Sequence, residues 1–154
     1  MNIVLLSPEI PQNTGNIARL SVATNSRLFL VGKLGFSIDD KAVRRAGLDY
    51  WKDLKLTSVE TIEEIVDRVP DKYLFFFSKK AKKVYTEVSY PKESYLIFGC
   101  ETIGLPDYLF SKFPERFFKI PISSNVRSLN LANAVGIVVY ESIRQNGFDP
   151  IIEN

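Results

Sequence analysis

Short apolar runs alternate along the chain with segments in which apolar residues recur at helical spacing. The apolar runs, each bounded by turn residues, predict buried β-strands at residues 2–7, 27–32, 54–57, 73–77, 94–99 and 117–121. Helical spacing and start signals predict helices at residues 17–24, from Asp39 or Asp40, at 61–69, at 107–113 and at 131–144. This alternation predicts an α/β fold, a mainly parallel sheet with helices on both faces.

The helix predicted at 131–144 differs from the others because it is apolar on most of its circumference. Its apolar and small residues occupy two adjacent sides: Leu131, Ala132, Val135, Gly136, Val138, Val139 and Ile143. A helix of this kind is usually buried on several sides. One small domain does not cover it comfortably, so we expect a homodimer in which a second copy of the chain packs on it.

A polar loop precedes this helix and predicts a binding site. Either Ser128 or Asn130 can cap the helix. A helix needs only one such cap, yet the same short stretch also contains Arg127 and Asn133, which capping does not explain. We therefore expect residues 121–130 to form a binding loop.

Length, charge and cysteine content limit the class of protein. The 154 residues suit a single domain spanning 1–154, and the net charge of +2 permits contact with nucleic acid without arguing for it. Cys100 is the only cysteine, which excludes an internal disulfide and fits a reducing compartment. The chain shows neither a signal-peptide pattern nor an apolar run long enough to cross a bilayer. We expect a cytoplasmic protein without membrane contact.

The chain contains no histidine. This absence removes the usual general base, the Ser–His and Cys–His nucleophile pairs and most zinc sites. With a single cysteine as well, we expect no catalytic metal. Any chemistry must use Arg, Lys, Glu, Asp, Ser, Asn or backbone groups.

Four polar or glycine-containing loops follow the predicted strands, at residues 8–16, 78–83, 99–106 and 121–130. The carboxyl ends of parallel strands share one edge of a sheet, which is where ligands bind in such folds. Gly99 and Gly104 allow the backbone to approach a ligand closely, although their spacing is neither a dinucleotide fingerprint nor a P-loop. Phe77 ends its strand at this edge, where a flat ligand can rest. The four loops together predict a ligand site.

The charged residues of these loops allow two interpretations each. Glu101 either caps the helix that follows it or belongs to the site. Four lysines in one loop (Lys79, Lys80, Lys82 and Lys83) either form a solvated loop or, with Arg19, Arg44, Arg45 and Arg127, a phosphate-binding face.

Three segments resemble the motifs of the SPOUT methyltransferases: NTGNIAR at 13–19, FGCETIGLP at 98–106, and the stretch from Ile120 that ends in RSLNLAN at 127–133. Their order and spacing are similar to the TrmL (YibK) group, the tRNA wobble-ribose 2′-O-methyltransferases. PEIPQNTGN at 8–16 and RRAGLDY at 44–50 are typical of that group. The likeness runs from residue 2 to about residue 147.

The resemblance implies a SPOUT fold with a C-terminal trefoil knot, a homodimer, and S-adenosylmethionine bound bent within the knot. It implies methyl transfer to the wobble ribose in the tRNA anticodon stem-loop. The residues implied to line the cofactor pocket are Phe77, Gly99, Ile120 and Ser128. The residues at the family's catalytic positions are Asn13, Arg19, Glu101, Ser128 and Asn130. In the family each site combines residues from both subunits, and the position of Arg19 reaches the partner's cofactor.

The implied mechanism needs the ribose hydroxyl held in line with an electrophilic methyl group. Arginine stays protonated, so we expect Arg19 to position the hydroxyl rather than remove its proton. Glu101, Ser128 and Asn130 are expected to orient the loop and the hydroxyl by hydrogen bonding.

Two positions depart from the group's pattern. Ile103 stands where the group usually has Arg, and Cys100 stands where it has Pro or Ser. The loss of that Arg leaves two further functions open: 2′-O-methylation at another RNA site, and a catalytically silent RNA-binding dimer. A different nucleotide-cofactor enzyme, such as a dehydrogenase, is disfavoured by the missing dinucleotide fingerprint.

Overall fold

The computed structural model describes residues 1–37 and 50–148, and the strands in these ranges form one parallel sheet. The strands are β1 (Asn2–Leu6), β2 (Arg27–Val31), β3 (Lys55–Val59), β4 (Leu74–Phe77), β5 (Lys83–Val84), β6 (Tyr95–Phe98) and β7 (Phe117–Lys119). Their order across the sheet is β3-β2-β1-β6-β4-β7-β5, and each neighbouring pair is parallel. The predicted parallel α/β sheet is confirmed, and the carboxyl ends of its strands share one edge.

Helices cover both faces of the sheet, as predicted. In the described part of the chain the α-helices are α1 (Pro11–Ala23), α2 (Glu63–Val66), α3 (Asp107–Lys112) and α4 (Leu131–Asn146). The two longer ones, α1 and α4, pack together on one face, and α2 and α3 cover the other. None of the helices within 1–37 and 50–148 is long and apolar enough to span a membrane.

The interior strand β4, which lies between β6 and β7, shows why this sheet is stable between two helical layers. Phe75 and Phe77 join the core under α1 and α4, whereas Leu74 and Phe76 join the core under α2 and α3. All four side chains are buried. A strand buried on both faces reads as a continuous apolar run, which is the pattern that predicted it.

The first helix differs from its prediction. It begins at Pro11 rather than near Ile17, so residues 11–16 are helical and the loop predicted at 8–16 is wrong for that part. Proline is tolerated at the first helical position because its missing N–H has no intrahelical partner there. Burial of Asn13 and Thr14 outweighs the weak helix propensity of the segment. Arg19 therefore lies in the third turn of the helix, not in its first.

The last helix agrees with its prediction at both ends. Of the two candidate caps, Asn130 is the N-cap: its Oδ1 accepts hydrogen bonds from the N–H groups of Ala132 at 2.9 Å and Asn133 at 3.3 Å. Gly147 ends the helix with a φ of 82°, a conformation that favours glycine. The N-cap joins the polar loop directly to a helix whose Val135, Val138 and Val139 are fully buried.

Two further predictions concern the lysine loop and the helix that contains Arg44 and Arg45. The lysine loop predicted at 78–83 ends in strand β5, a two-residue strand that pairs with β7 and is too short to produce a periodic signal. The helix predicted from Asp39 or Asp40, with Arg44 and Arg45, lies outside the described residues.

Candidate functional site

A cavity of about 780 Å³ opens at the carboxyl edge of the sheet. All four predicted loop regions contribute to its wall. A volume of this size is typical of small-molecule and cofactor sites. The sequence therefore located the cavity, because loops that follow parallel strands meet at one edge.

All of the predicted site residues except Arg19 line this cavity. They are Asn13, Phe77, Gly99, Glu101, Ile120, Ser128 and Asn130. Lys79, Ile103 and Arg127 line it as well. The structure thus brings together residues from four separate parts of the chain.

Glu101 is the centre of a hydrogen-bond network at the start of α1. One of its oxygens accepts from the N–H of Glu9 at 2.8 Å. The other accepts from the N–H of Ile10 at 3.3 Å and from Nδ2 of Asn13 at 2.8 Å. Glu101 does not cap the helix that follows it, so that alternative is wrong. Its carboxylate instead lies at the N-terminus of α1, where Ile10 offers no capping side chain and the helix dipole favours negative charge.

Asn13 and Asn130 extend this network across the cavity wall. Nδ2 of Asn130 donates to Oδ1 of Asn13 at 2.9 Å. Oδ1 of Asn130 is meanwhile occupied by the cap of α4. Both polar ends of each amide are thereby used, which fixes the orientation of the two side chains. Glu101, Asn13 and Asn130 therefore hold the N-termini of α1 and α4 in a defined relation.

Glu9 is a site residue that sequence reasoning missed. Its carboxylate accepts from the hydroxyl of Thr102 at 2.8 Å and from the N–H of Thr102 at 3.1 Å. Together with the bonds from Glu9 and Ile10 to Glu101, these contacts clasp the turn before α1 to the loop after β6. The available signal was that Glu9 belongs to the PEIPQNTGN segment at 8–16, which was already recognised as a motif.

Two positions of the 99–106 loop require glycine, each for a different reason. A Cβ at Gly99 would stand 2.1 Å from the carbonyl carbon of Gly104, a distance that no side chain can occupy. Gly104 itself has a φ of +75°, which disfavours other residues. Its N–H donates to the carbonyl of Cys100 at 3.1 Å and closes the loop. The glycines therefore fold the loop tightly on itself.

One part of the cavity wall is aromatic. The rings of Phe77 and Phe98, at the ends of β4 and β6, are stacked with centroids 4.8 Å apart. Both residues line the cavity. An aromatic wall beside closely spaced backbone groups suits a ligand that has a flat ring and polar edges.

Two of the four lysines of the 78–83 loop are paired with acidic side chains. Lys80 pairs with Asp107 at 2.8 Å, and Lys83 pairs with Glu115. Nζ of Lys79 instead donates to the carbonyl of Arg127 at 3.3 Å, across the cavity mouth. Of the proposed phosphate-binding residues, Lys79, Lys80 and Arg127 line the cavity, while Arg44 and Arg45 lie outside the described residues.

Arg19 is exposed on α1 and is not part of the cavity wall. Its guanidinium carbon lies 5.1 Å from the ring centroid of Tyr50, and Nη2 is 3.5 Å from the hydroxyl of Tyr50. This contact places the guanidinium of Arg19 beside the ring of Tyr50. Tyr50 ends the RRAGLDY motif, and sequence reasoning gave it no role.

The chemistry available in the cavity is that of carboxylate, amide, hydroxyl, amine and backbone groups. Within 1–37 and 50–148, no group of three or more His, Cys, Asp or Glu side chains is arranged to hold a metal ion. These residues can bind, orient and hydrogen-bond a ligand.

Comparison with known proteins gives the same family over nearly the whole chain. The SpoU rRNA methylase family matches residues 1–140. The tRNA (cytidine(34)-2′-O)-methyltransferase of Escherichia coli strain K12 is 43% identical over 149 residues, which cover 96% of this chain and 95% of that protein.

Two solved structures are similar to this one. A structure that concerns the 2-OH methylation of C/U34 on tRNA has a TM-score of 0.88 and 39% identity, covering 94% of this chain and 95% of its own. An AdoMet-bound rRNA methyltransferase from Sinorhizobium meliloti has a TM-score of 0.82 and 25% identity, covering 93% of this chain and 55% of its own. These likenesses confirm the resemblance of the three motifs. The chain belongs to the SpoU rRNA methylase family.

Proposed function

We propose that this protein is an S-adenosylmethionine-dependent tRNA (cytidine/uridine-34-2′-O)-methyltransferase. The observation that carries the proposal is the convergence of Asn13, Glu101 and Asn130, one from each family motif, in a single hydrogen-bonded cavity wall. The E. coli relative, similar over the full length, carries this activity in its name.

The cavity fits S-adenosylmethionine. Its volume of about 780 Å³ and its stacked Phe77 and Phe98 suit an adenine ring, and its many backbone groups suit the polar remainder. The residues that would hold the cofactor are Phe77, Gly99, Ile120 and Ser128. A bound cofactor supplies an electrophilic sulfonium methyl group. The AdoMet-bound relative from S. meliloti supports the same cofactor here.

Residues of this chain position the methyl acceptor, which is the ribose 2′-hydroxyl. Binding the ribose 2′-hydroxyl in line with the methyl group makes the reaction effectively unimolecular. The hydrogen bonds of Asn130 and Glu101 to Asn13 fix the cavity wall, and Ser128 contributes a hydroxyl group to that wall. Arg19 positions the hydroxyl through its planar fork of donors, and because a guanidinium offers no acceptor, the hydroxyl proton passes to another group.

The proposed enzyme is a homodimer whose sites are shared. Arg19 lies outside its own cavity, in agreement with a role in the partner's site. On α4, Ile137 and Tyr140 are exposed apolar residues at 37% and 49%, a surface that a second copy can cover. We also propose the trefoil knot, a single domain over 1–154 and a cytoplasmic location, each on the family likeness.

Labelled S-adenosylmethionine and unmodified tRNA test the function. We expect 2′-O-methylcytidine or 2′-O-methyluridine after nuclease digestion, because the proposed acceptor is a pyrimidine ribose. Label in another nucleotide of the RNA would favour a different RNA site. Absence of label with every tRNA, despite calorimetric binding of the cofactor, would favour a silent RNA-binding dimer.

A further inference from the structure

Hydrogen bonds hold the loop 99–105 in place on both sides of residue 103. The N–H of Gly104 closes the loop onto Cys100 at 3.1 Å. Glu101 is held by three donors at the start of α1, and Thr102 is held by the carboxylate of Glu9 through two hydrogen bonds. The clasp leaves Ile103 as the tip of the loop. Its position is therefore determined by its neighbours on both sides in sequence.

Ile103 presents a large aliphatic side chain to solvent at the mouth of the cavity. It is 83% exposed, the largest exposure among the large apolar residues of the described chain. Single exposed apolar residues are common on protein surfaces. Ile103 differs because it lines the ligand cavity, together with Ile10, which is 42% exposed. The mouth thus has an apolar side, formed by Ile103 and Ile10.

The same mouth has a cationic side. Lys79 and Arg127 line the cavity, and Nζ of Lys79 donates to the carbonyl of Arg127. Neither side chain takes part in the ion pairs found among the described residues. A nucleotide combines an apolar base face with an anionic phosphate, and it complements this pair of surfaces.

We propose that Ile103 is a specificity-determining residue that packs against the base of the nucleotide whose ribose is methylated. This inference rests on the proposed function and adds a contact to it. The cationic residues at the same mouth favour RNA over a second protein copy. The exposed apolar face of α4, at Ile137 and Tyr140, offers a separate surface for that copy.

The test combines a change in the protein with a change in the substrate. Ile103→Ala is compared with the unaltered protein on tRNA and on a ligated tRNA in which the target nucleotide is abasic but keeps its 2′-hydroxyl. We expect Ile103→Ala to lower kcat/KM and tRNA affinity about tenfold on intact tRNA, since an aliphatic contact is lost. On the abasic tRNA the two proteins should bind equally. Affinity is measured by fluorescence anisotropy, so the comparison does not depend on turnover.

Two variants serve as controls. Ile103→Leu retains apolar bulk and should keep most of the kcat/KM. Tyr108→Ala removes a large apolar side chain of α3 that is 46% exposed but does not line the cavity, and it should act like the unaltered protein.

Three outcomes would overturn the inference. One is an Ile103→Ala effect of equal size on intact and abasic tRNA, and another is no effect on either. The third is dissociation of the dimer by Ile103→Ala in sedimentation, which would assign Ile103 to a second copy. Failure of the proposed function is distinct, because the unaltered protein would then methylate no pyrimidine ribose.

Discussion

Asn130 donates a hydrogen bond to Asn13 at 2.9 Å, although 117 residues separate the two along the chain. Asn130 also caps α4, and Asn13 also donates to Glu101. A cap is normally a local device that stabilises one helix. Here it is joined to the start of α1 and the loop after β6, so the stability of the last helix and the geometry of the cavity depend on one side chain.

Substitution of Asn130 separates these two roles. Asn130→Ala removes both the cap and the link to Asn13, so we expect a loss of about 1 kcal/mol in the free energy of unfolding and weaker cofactor binding. Asn130→Ser keeps a capping oxygen but is too short to reach Asn13. It should unfold nearly like the unaltered protein and still bind the cofactor weakly. Urea unfolding and calorimetry measure the two effects; normal cofactor affinity in Asn130→Ser would contradict the link.

Loss of the Glu9 carboxylate should impair activity more than stability. Glu9→Ala leaves the hydroxyl and N–H of Thr102 without their acceptor, which frees the loop that lines the cavity. We expect kcat to fall about tenfold or more, as a small misplacement in a site can do. The matched control is Glu63→Ala, which removes an exposed carboxylate that accepts from Tyr108, and neither residue lines the cavity. Equal kcat in the two variants would show that the clasp is only structural.

The sequence predicted the elements with strong periodicity and the meeting place of their loops. Helix α4 was found because its buried valines recur at helical spacing and Asn130 and Gly147 mark its ends. The start of α1 was missed because Pro11 and Gly15 are local turn signals, and only tertiary burial of Asn13 and Thr14 overrides them.

The partners of the site residues could not be predicted in the same way. The link from Glu101 to Asn13 joins residues 88 positions apart, and no local pattern encodes such a contact. The interpretation that Glu101 caps the helix after it was wrong, because its carboxylate accepts hydrogen bonds at the start of α1 instead. Glu9 was overlooked because its segment was predicted to be a loop, and no local pattern indicates its contact with Thr102, which lies 93 positions away.

Alkaline pH should destabilise the protein through Tyr90. The hydroxyl of Tyr90 donates to the carbonyl of Tyr85. Burial in the core raises the pKa of Tyr90 above its ordinary value of 10.0, and the negative charge of Glu141 raises this pKa further. The unfolded chain then loses the phenol proton first. The contribution of Tyr90 to the free energy of unfolding should be constant below pH 10 and fall above it.

Tyr90→Phe isolates this contribution. The variant should lose about 1 kcal/mol at neutral pH with its hydrogen bond and show a shallower decline above pH 10. A decline remains, since burial and the contact with Glu63 raise the pKa of Tyr108 to about 12. Chemical unfolding at a series of pH values measures the slope, and an unchanged slope in Tyr90→Phe would contradict the assignment.

Mixed dimers test the shared site. Arg19→Ala should fold and bind the cofactor normally but lose methyl transfer, because Arg19 lies outside its own cavity. Arg19→Lys should remain badly impaired, since it lacks the planar fork of donors. Exchange of subunits between Arg19→Ala and Asn130→Ala rebuilds one intact site in each heterodimer.

Part of the unaltered rate should therefore return on exchange. Native mass spectrometry verifies that heterodimers have formed. If they have and the mixture stays inactive, Arg19 does not act in the partner's site.

The central claim is that the wobble ribose accepts the methyl group. A tRNA that lacks one oxygen atom at that ribose tests this claim. A ligated tRNA whose wobble nucleotide alone is 2′-deoxy keeps every base and phosphate but lacks the proposed acceptor. With labelled S-adenosylmethionine, the all-ribose tRNA should take up label at that nucleotide and the 2′-deoxy tRNA should take up none. Equal label in the two tRNAs would contradict the account.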